Sequence, residues 1–260
     1  MKELFIHHHM GIGDHICLKG AVATIREQTD YEKINIFCKQ RSEHLLEVLY
    51  NDNSSYNLIP ITPKNVFDEY TQVQEKLNEA STDGPVAFLR VGFDQYREQP
   101  GKSCDESFYE MLGIPYDNRF TKFNFTRDYK IEDDIYKELT PENKDYIFVH
   151  DDVENGEDIF GKTAYFVPFT NEIVLFTYVE NGYPINVDTD LNIVKNDITK
   201  NFFYFGKLFE NAKEIHCMES SIRCLLEFYD LSGVELYCYK RLRGVLPGDA
   251  VGTRQNWKMV

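Results

Sequence analysis

The segment "FIHHHMGIGDHICLKG", residues 5–20, is the most informative about the fold class, because it joins an apolar run to a helical pattern through two glycines and an aspartate. "KELFIHHH" is typical of a buried strand, and "KINIFCK" further along the chain predicts another. Between them, Leu18, Val22 and Ile25 recur at spacings of four and three, the period of a helix face. A strand, a glycine-containing turn, a helix and a second strand form a βαβ unit, which predicts a parallel sheet.

The alternation of strands and helices occurs twice along the chain. It runs through about the first 95 residues, stops in a polar and aromatic stretch over 94–130, and restarts at "DYIFVH". Later strand patterns in "NEIVLFTYV", "KEIHCM" and "VELYCY" are interleaved with helical patterns in "NFFYFGKLFENA" and "SSIRCLLEFY". We therefore predict an α/β protein with two Rossmann-like lobes, residues 1–135 and 136–260, and a cleft between them.

Composition narrows the classes of partner. The net charge of −15 argues against binding to nucleic acid or to an anionic membrane, which both attract clustered Lys and Arg. The six cysteines form no Cys-x-x-Cys pair and lie mostly in apolar runs, a pattern typical of buried thiols in a reducing compartment. No stretch approaches the roughly 18 apolar residues of a membrane-spanning helix. We expect a cytoplasmic protein without a transmembrane segment.

The segment "HHHMGIGDHI" has three interpretations. Alternate strand residues point to opposite faces, so at most His7 and His9 share a metal ion, and three histidines inside a strand pattern are too few for an expression tag. As a ligand-binding turn, Gly11 and Gly13 permit positive φ and close backbone approach, while the following helix offers free N–H groups. Asp14 then serves either as a simple helix cap or as a functional carboxylate.

Two further polar clusters follow predicted strands. "KEIHCMESSIRCLLEF" places Glu219, Ser220 and Ser221 between a strand and a helix, which suits a phosphate and sugar hydroxyls, or else makes Ser220 an ordinary N-cap. "YIFVHDD" places His150 and Asp151 at the carboxyl end of a strand, where ligands of open α/β sheets bind, or else these are solvated loop residues.

The motifs resemble those of a known enzyme family. "HHHMGIGDHICLKGAVATIRE" resembles the first strand, Gly-x-Gly-Asp loop and helix of the lipopolysaccharide heptosyltransferases, which have the GT-B fold. "NDITKNFFYFGKLFENAKEIHCMESSIRCLLEF" resembles the donor-side segment of the same family. The family has an Asp-Ser-Gly-type turn where this chain has Glu-Ser-Ser, which is closer to fucosyltransferase-like relatives.

The resemblance implies a metal-independent, inverting transfer of a sugar from a nucleotide diphosphate sugar to a glycan acceptor, with no further cofactor. Asp14 occupies the position of the family's catalytic base, which removes the proton of the acceptor hydroxyl. "DTD" at 188–190 follows a turn and not a strand, so we do not assign it to a metal. The residues assigned to substrate binding are Gly11, Gly13, His15, His150, Asp151, Glu219, Ser220, Ser221 and Arg223, with Arg223 the nearest candidate for the diphosphate charge together with Arg241 and Arg243.

Two other functions compete with this hypothesis. The first is a nucleotide- or glycan-binding module of the same fold that has lost catalysis, because the chain is short for a two-lobed transferase. The second is a flavodoxin-like or dinucleotide-binding protein, because the chain begins with a βαβ unit, although no third glycine completes the dinucleotide fingerprint.

Overall fold

The computed structural model describes residues 2–82, 84–93, 102–140, 146–150, 172–176, 194–197, 201–239 and 252–259. These residues fall into two compact units. The first contains the described residues up to Thr126 together with Gly252, and the second contains those from Arg127 onward together with 253–259. Each unit is built around a sheet of its own.

The sheet of the first unit is parallel throughout its described part. Its order is β3-β2-β1-β4, and every neighbouring pair is parallel, which confirms the predicted βαβ start. Pro60 lies in the edge strand, where its missing N–H removes no bond needed by a second neighbour. The strands are β1 Glu3–His7, β2 Lys33–Lys39, β3 Tyr56–Ile61 and β4 Ala87–Arg90.

The first unit has five α-helices among its described residues. The pattern "DESFYEMLG" predicts a helix that ends at Gly113, and the structure confirms it, since Gly113 adopts φ 64°, ψ 24° beyond the last helical residue. The irregular chain expected after it contains one short helix that the sequence did not predict. The helices are α1 Ile12–Gln28, α2 Glu43–Leu49, α3 Val66–Ser81, α4 Cys104–Leu112 and the additional α5 Asn118–Thr121.

Contacts with the middle of α1 explain why α5 escaped prediction. A Cβ atom on Gly20 would lie 2.2 Å from the carbonyl oxygen of Asn118, so the glycine allows α5 to approach α1. The buried hydroxyl of Tyr109 donates to the carbonyl of Cys17 at 2.9 Å and accepts from the N–H of Ala21 at 3.0 Å. Such contacts join residues about 90 positions apart, which local periodicity does not reveal.

The sheet of the second unit is mixed. Its order is β10-β9-β8-β5-β6-β7 among the described strands, with β5, β8, β9 and β10 parallel. The strand β6 pairs antiparallel with both β5 and β7, whereas the predicted Rossmann-like lobe has an all-parallel sheet. The sequence did not reveal this difference, because a strand pattern carries no information about strand direction. The bounds are β5 Ile147–His150, β6 Glu172–Phe176, β7 Val194–Asp197, β8 Glu214–Met218, β9 Glu235–Tyr239 and β10 Lys258–Met259.

The helices of the second unit are short. The pattern "NFFYFGKLFENA" forms a 3₁₀ turn at Phe202–Tyr204 and then a separate helix, rather than one continuous helix. The residues that this pattern places on one helix face are nevertheless all buried: Phe205, Leu208, Phe209 and Ala212. The helices are α6 Tyr129–Leu139, α7 Gly206–Glu210 and α8 Ser221–Leu226.

The cysteine pattern behaves as predicted. None of the six cysteines forms a disulfide bond, and five of them are buried, with Cys104 partly exposed. Among the helices in the described ranges, none is long and apolar enough to cross a membrane.

Candidate active site

The site in the first unit is built on the start of α1. Gly11 is the N-cap residue, and its carbonyl accepts the first helical bond from the N–H of His15 at 3.1 Å. Asp14 is the third residue of the helix, and its carboxylate accepts hydrogen bonds from the N–H of Gly11 and from its own N–H. This return bond to the N-cap is the second half of a capping box, so Asp14 closes the helix start with its side chain.

A glycine is needed at position 11 because there is no room for a side chain, and not because of its backbone φ angle. Its φ of −73° is open to any residue, and Gly13 also lies outside the positive-φ glycines, so the predicted use of positive φ at these two positions is wrong. A Cβ atom on Gly11 would lie 2.5 Å from Oδ2 of Asp14. The close approach expected at this glycine is therefore made by the protein's own carboxylate.

Burial raises the pKa of Asp14 to about 7. The two backbone hydrogen bonds and the positive charge of Lys39 favour the ionised form, but they do not offset the loss of hydration. The side chain keeps part of its surface exposed to solvent. A partly exposed carboxyl group that titrates near neutral pH has the properties required of a general base or acid.

Two buried histidines support the loop before α1. Nδ1 of His8 lies 2.5 Å from the carbonyl oxygen of His9, and because a carbonyl only accepts, this nitrogen carries the proton. Nε2 of His8 then accepts from Nδ1 of His15 at 3.2 Å, and the same Nδ1 lies 3.4 Å from the hydroxyl of Tyr50. Burial lowers the pKa of His8 to about 3 and that of His15 well below its ordinary value, so both rings are neutral.

His15 therefore occupies a different place from the one expected of a substrate contact. Its side chain is completely buried, and its described partners are His8 and Tyr50. These contacts fix the turn of α1 that carries Asp14, which favours a positioning role for His15.

The other two histidines of the run lie at the end of β1. Nε2 of His7 lies 3.1 Å from Oε1 of Glu69 in α3, and burial lowers the pKa of His7 to about 4. The ring of His9 contacts Phe93 edge-on, with centroids 4.9 Å apart. In the described part of the chain, no group of three or more His, Cys, Asp or Glu side chains has the arrangement of a metal site.

Sequence analysis missed the residues that end the neighbouring strands. Lys39 is the last residue of β2, and its charge opposes the rise that burial causes in the pKa of both Asp14 and Glu69. Arg90 is the last residue of β4, in register with His7 of β1. The rule that ligands bind at the carboxyl ends of parallel strands, applied to β2 and β4 as it was to β1, would have found both cations.

The second candidate cluster begins α8 in the second unit. Ser220 occupies the N-cap position in extended conformation, φ −155° and ψ 178°, but its side chain makes no capping hydrogen bond. Its Oγ is buried and has no hydrogen-bond partner among the residues that the structure describes. Leaving a buried hydroxyl unpaired costs about 1–3 kcal/mol, which a ligand or an ordered water would offset. Ser220 is therefore the N-cap residue by position, as the alternative interpretation predicts, but its hydroxyl does not cap the helix.

The remaining predicted residues of this cluster differ in accessibility. Glu219 and Ser221 are partly exposed on either side of Ser220. His150 ends β5 in register with Cys217 of β8, which places it at the same edge of the sheet as the start of α8.

Arg223, the cation predicted to bind the diphosphate, does not face solvent. It is buried, and its guanidinium carbon lies 5.7 Å from the centroid of the Trp257 ring. Asp151, Arg241, Arg243 and the "DTD" at 188–190 lie outside the described residues.

Comparison with known proteins places the fold. No family model and no curated protein matches the sequence. Among solved structures, a glycosyltransferase of family 9 from Veillonella parvula is similar to this chain with a TM-score of 0.59 at 11% identity, over 100% of this chain and 86% of that one. Two structures of E. coli heptosyltransferase WaaC, with ADP-2-deoxy-2-fluoro heptose and with ADP, are more distant. Their TM-scores are 0.41 and 0.44 at 10% and 9% identity, over 100% of this chain and 93% and 92% of theirs. The chain thus has a mixed α/β fold with parallel strand pairs, similar to that of a family 9 glycosyltransferase.

Proposed function

We propose that the chain is a glycosyltransferase that moves a sugar from a nucleotide diphosphate sugar to a hydroxyl group of a glycan, with inversion and without a metal ion. The observation that carries the proposal is the carboxyl group of Asp14. It lies partly exposed at the carboxyl end of a parallel sheet, Gly11 holds it in place, and its pKa is raised to about 7. The fold likeness supports the proposal but leaves the chemistry to the site, because one fold hosts many functions.

The reaction needs one proton acceptor on the acceptor side. Asp14 removes the proton of the acceptor hydroxyl as the oxygen forms a bond to the anomeric carbon, while the bond from that carbon to the diphosphate breaks. The nucleoside diphosphate leaves with the bonding electron pair, and the sugar changes configuration at the anomeric carbon. Lys39 ends the strand next to β1, and its positive charge favours the ionised form of Asp14, which is the form that accepts a proton.

The donor is assigned to the second unit. The unpaired Oγ of Ser220 is available to donate a hydrogen bond to a phosphate oxygen, and Ser221 and Glu219 flank it. His150 ends the neighbouring strand and is assigned, with Asp151, to the same ligand. Since α8 has only six residues, its dipole contributes little, and side-chain donors carry most of the interaction.

The buried position of Arg223 favours a second candidate function. The predicted cation of the donor site is buried against Trp257. This placement favours a module that binds a nucleotide or a glycan without turning it over. Whether the enzyme or the module is correct, we predict a cytoplasmic protein.

A thermal-shift panel of GDP, UDP and ADP tests the proposal. Ligand at a hundred times its Kd stabilises a folded protein by about 2.7 kcal/mol, a readily visible shift. We expect at least one diphosphate to stabilise the chain, and donor hydrolysis or transfer to disappear in Asp14→Ala with nucleotide affinity retained. Binding without turnover on any acceptor supports the module, whereas no shift with any of the three contradicts both functions.

A further inference from the structure

The first two turns of α3 expose a group of apolar side chains. Val66, Phe67 and Tyr70 have 71%, 86% and 50% of their surface accessible, and we call these three residues the α3 surface. Three large apolar side chains grouped on one helix end are unusual for a surface with no partner, because such groups commonly mark binding sites. Aromatic residues in particular are enriched where proteins bind ligands and partners.

The backbone below the α3 surface is held in place. The side chain of Asn65 accepts hydrogen bonds from the N–H groups of Phe67 and Asp68, both at 3.0 Å. The carboxylate of Asp68 accepts from the N–H of Lys64 at 2.8 Å and from Nε2 of Gln72 at 3.1 Å. A helix start fixed this way presents its aromatic rings with little conformational freedom to lose on binding.

The α3 surface is connected to the candidate active site within the first unit. Glu69, in the same turn, contacts the ring of His7, the last residue of β1, and β1 leads directly into the loop before Asp14. The guanidinium of Arg90 lies 5.7 Å from the centroid of the Tyr70 ring, so the end of β4 also borders this surface. The exposed rings therefore lie at the same edge of the sheet as the proposed base.

We propose that the α3 surface binds an uncharged sugar ring of the glycan acceptor, with Phe67 and Tyr70 stacked against its C–H face; this inference rests on the proposed function. The C–H face of a pyranose is apolar and slightly positive, which complements the negative face of an aromatic ring. The sugar hydroxyls at the edge of the ring find acceptors in the carboxylates of Asp68 and Glu69.

The charge of α3 selects among the possible occupants. The helix carries four acidic side chains and one lysine over Val66–Ser81, and the whole chain has a net charge of −15. Such a field repels an anionic membrane, a nucleic acid and an acidic glycan. A neutral sugar is not repelled by this field, and it can use both the rings and the carboxylates.

The test uses the full chain and two exposed aromatic residues. Phe67→Ala and Tyr70→Ala, singly and combined, are compared with Tyr129→Ala, which removes an aromatic ring that is 66% exposed on α6 of the second unit. Fluorescently labelled proteins are applied to an array of neutral and acidic oligosaccharides, and the same samples receive the GDP, UDP and ADP thermal-shift panel. Melting curves without ligand verify that the variants fold.

We expect the wild type and Tyr129→Ala to retain the same neutral oligosaccharides, and the double variant to bind them at least about tenfold more weakly. Nucleotide shifts should be equal in all variants. Retention of acidic glycans alone, of no glycan, or of the same glycans by the double variant overturns the inference. So does a Phe67-dependent dimer, or Phe67-dependent binding to phosphatidylcholine vesicles. Absence of every nucleotide shift in the wild type overturns the proposed function separately.

Discussion

The carboxyl group of Asp14 and the hydroxyl group of Ser220 lie at similar places in the two units, each at the start of a helix that follows a parallel strand. Their hydrogen bonding is opposite. The chain itself satisfies the carboxylate of Asp14 through the N–H of Gly11, whereas the hydroxyl of Ser220 makes no hydrogen bond with any described residue. A group that must act at a set position benefits from being held before the substrate arrives, while an unpaired polar group gains most from a ligand.

The largest expected effect comes from removing the base while keeping its shape. Asp14→Asn still accepts a hydrogen bond from Gly11 but takes up no proton, so we expect transfer or donor hydrolysis to fall by about 10²–10⁴-fold. Nucleotide affinity in the thermal-shift assay should not change. Asp30→Asn, an exposed aspartate of the same unit whose described partner is Lys2, is the control. Activity of Asp14→Asn within a few-fold of wild type contradicts the role of Asp14.

The next effect tests the space around the carboxylate. Gly11→Ala places a methyl group where Oδ2 of Asp14 lies, so the carboxylate must move, and we expect turnover to fall by about tenfold to a hundredfold. The control is Gly113→Ala, which has open space around the new methyl group but a φ of +64°. It should cost about 1 kcal/mol of stability and leave turnover unchanged. Equal turnover in the two variants would show that the position of Asp14 is unimportant.

A stability measurement tests the tuning of Asp14 without any substrate. Its folded pKa of about 7 lies above the ordinary 3.8, so the folded state binds the proton more tightly and loses stability as the pH rises from about 4 to 7. Asp14→Asn avoids this loss. In urea unfolding we expect it to be about 1–3 kcal/mol more stable than wild type at pH 8, and close to wild type at pH 4. A difference that does not depend on pH would contradict the raised pKa.

The smallest effect concerns the unpaired hydroxyl of Ser220. Ser220→Ala removes a group with no described partner, so the free protein should keep or slightly gain stability. The affinity for the stabilising nucleoside diphosphate should fall by about three- to tenfold, the equivalent of one hydrogen bond. Ser232→Ala, on the surface of the same unit, should change neither. A clear loss of stability in Ser220→Ala with unchanged nucleotide affinity would make the serine structural.

Local patterns in the sequence predicted the elements that carry the site. The period of Leu18, Val22 and Ile25 and the glycines before Asp14 were enough to place a helix start after a strand. The φ angles of Gly11 and Gly13 were not predicted correctly. A glycine is needed at position 11 because the carboxylate of Asp14 occupies the space next to its Cα atom. A steric contact between a side chain and a residue three positions earlier leaves no mark on hydrophobic periodicity.

Contacts between distant parts of the chain account for most of what the sequence did not show. Lys39, Glu69 and Arg90 surround the end of β1 only because β2, α3 and β4 are arranged around that strand. The burial of Arg223 against Trp257 depends on residues more than 30 positions away. The missing cap at Ser220 is equally invisible, since the residue type is ideal for a cap and only the geometry shows that its side chain makes no bond.

The most direct test is a ¹³C NMR titration of the Asp14 carboxyl carbon in the full chain, assigned by its absence in Asp14→Asn. A general base at this position must exchange its proton near neutral pH, and we predict a titration midpoint at about 7. A midpoint near 3.8 would make Asp14 an ordinary helix cap and would remove the basis for the sugar-transfer proposal.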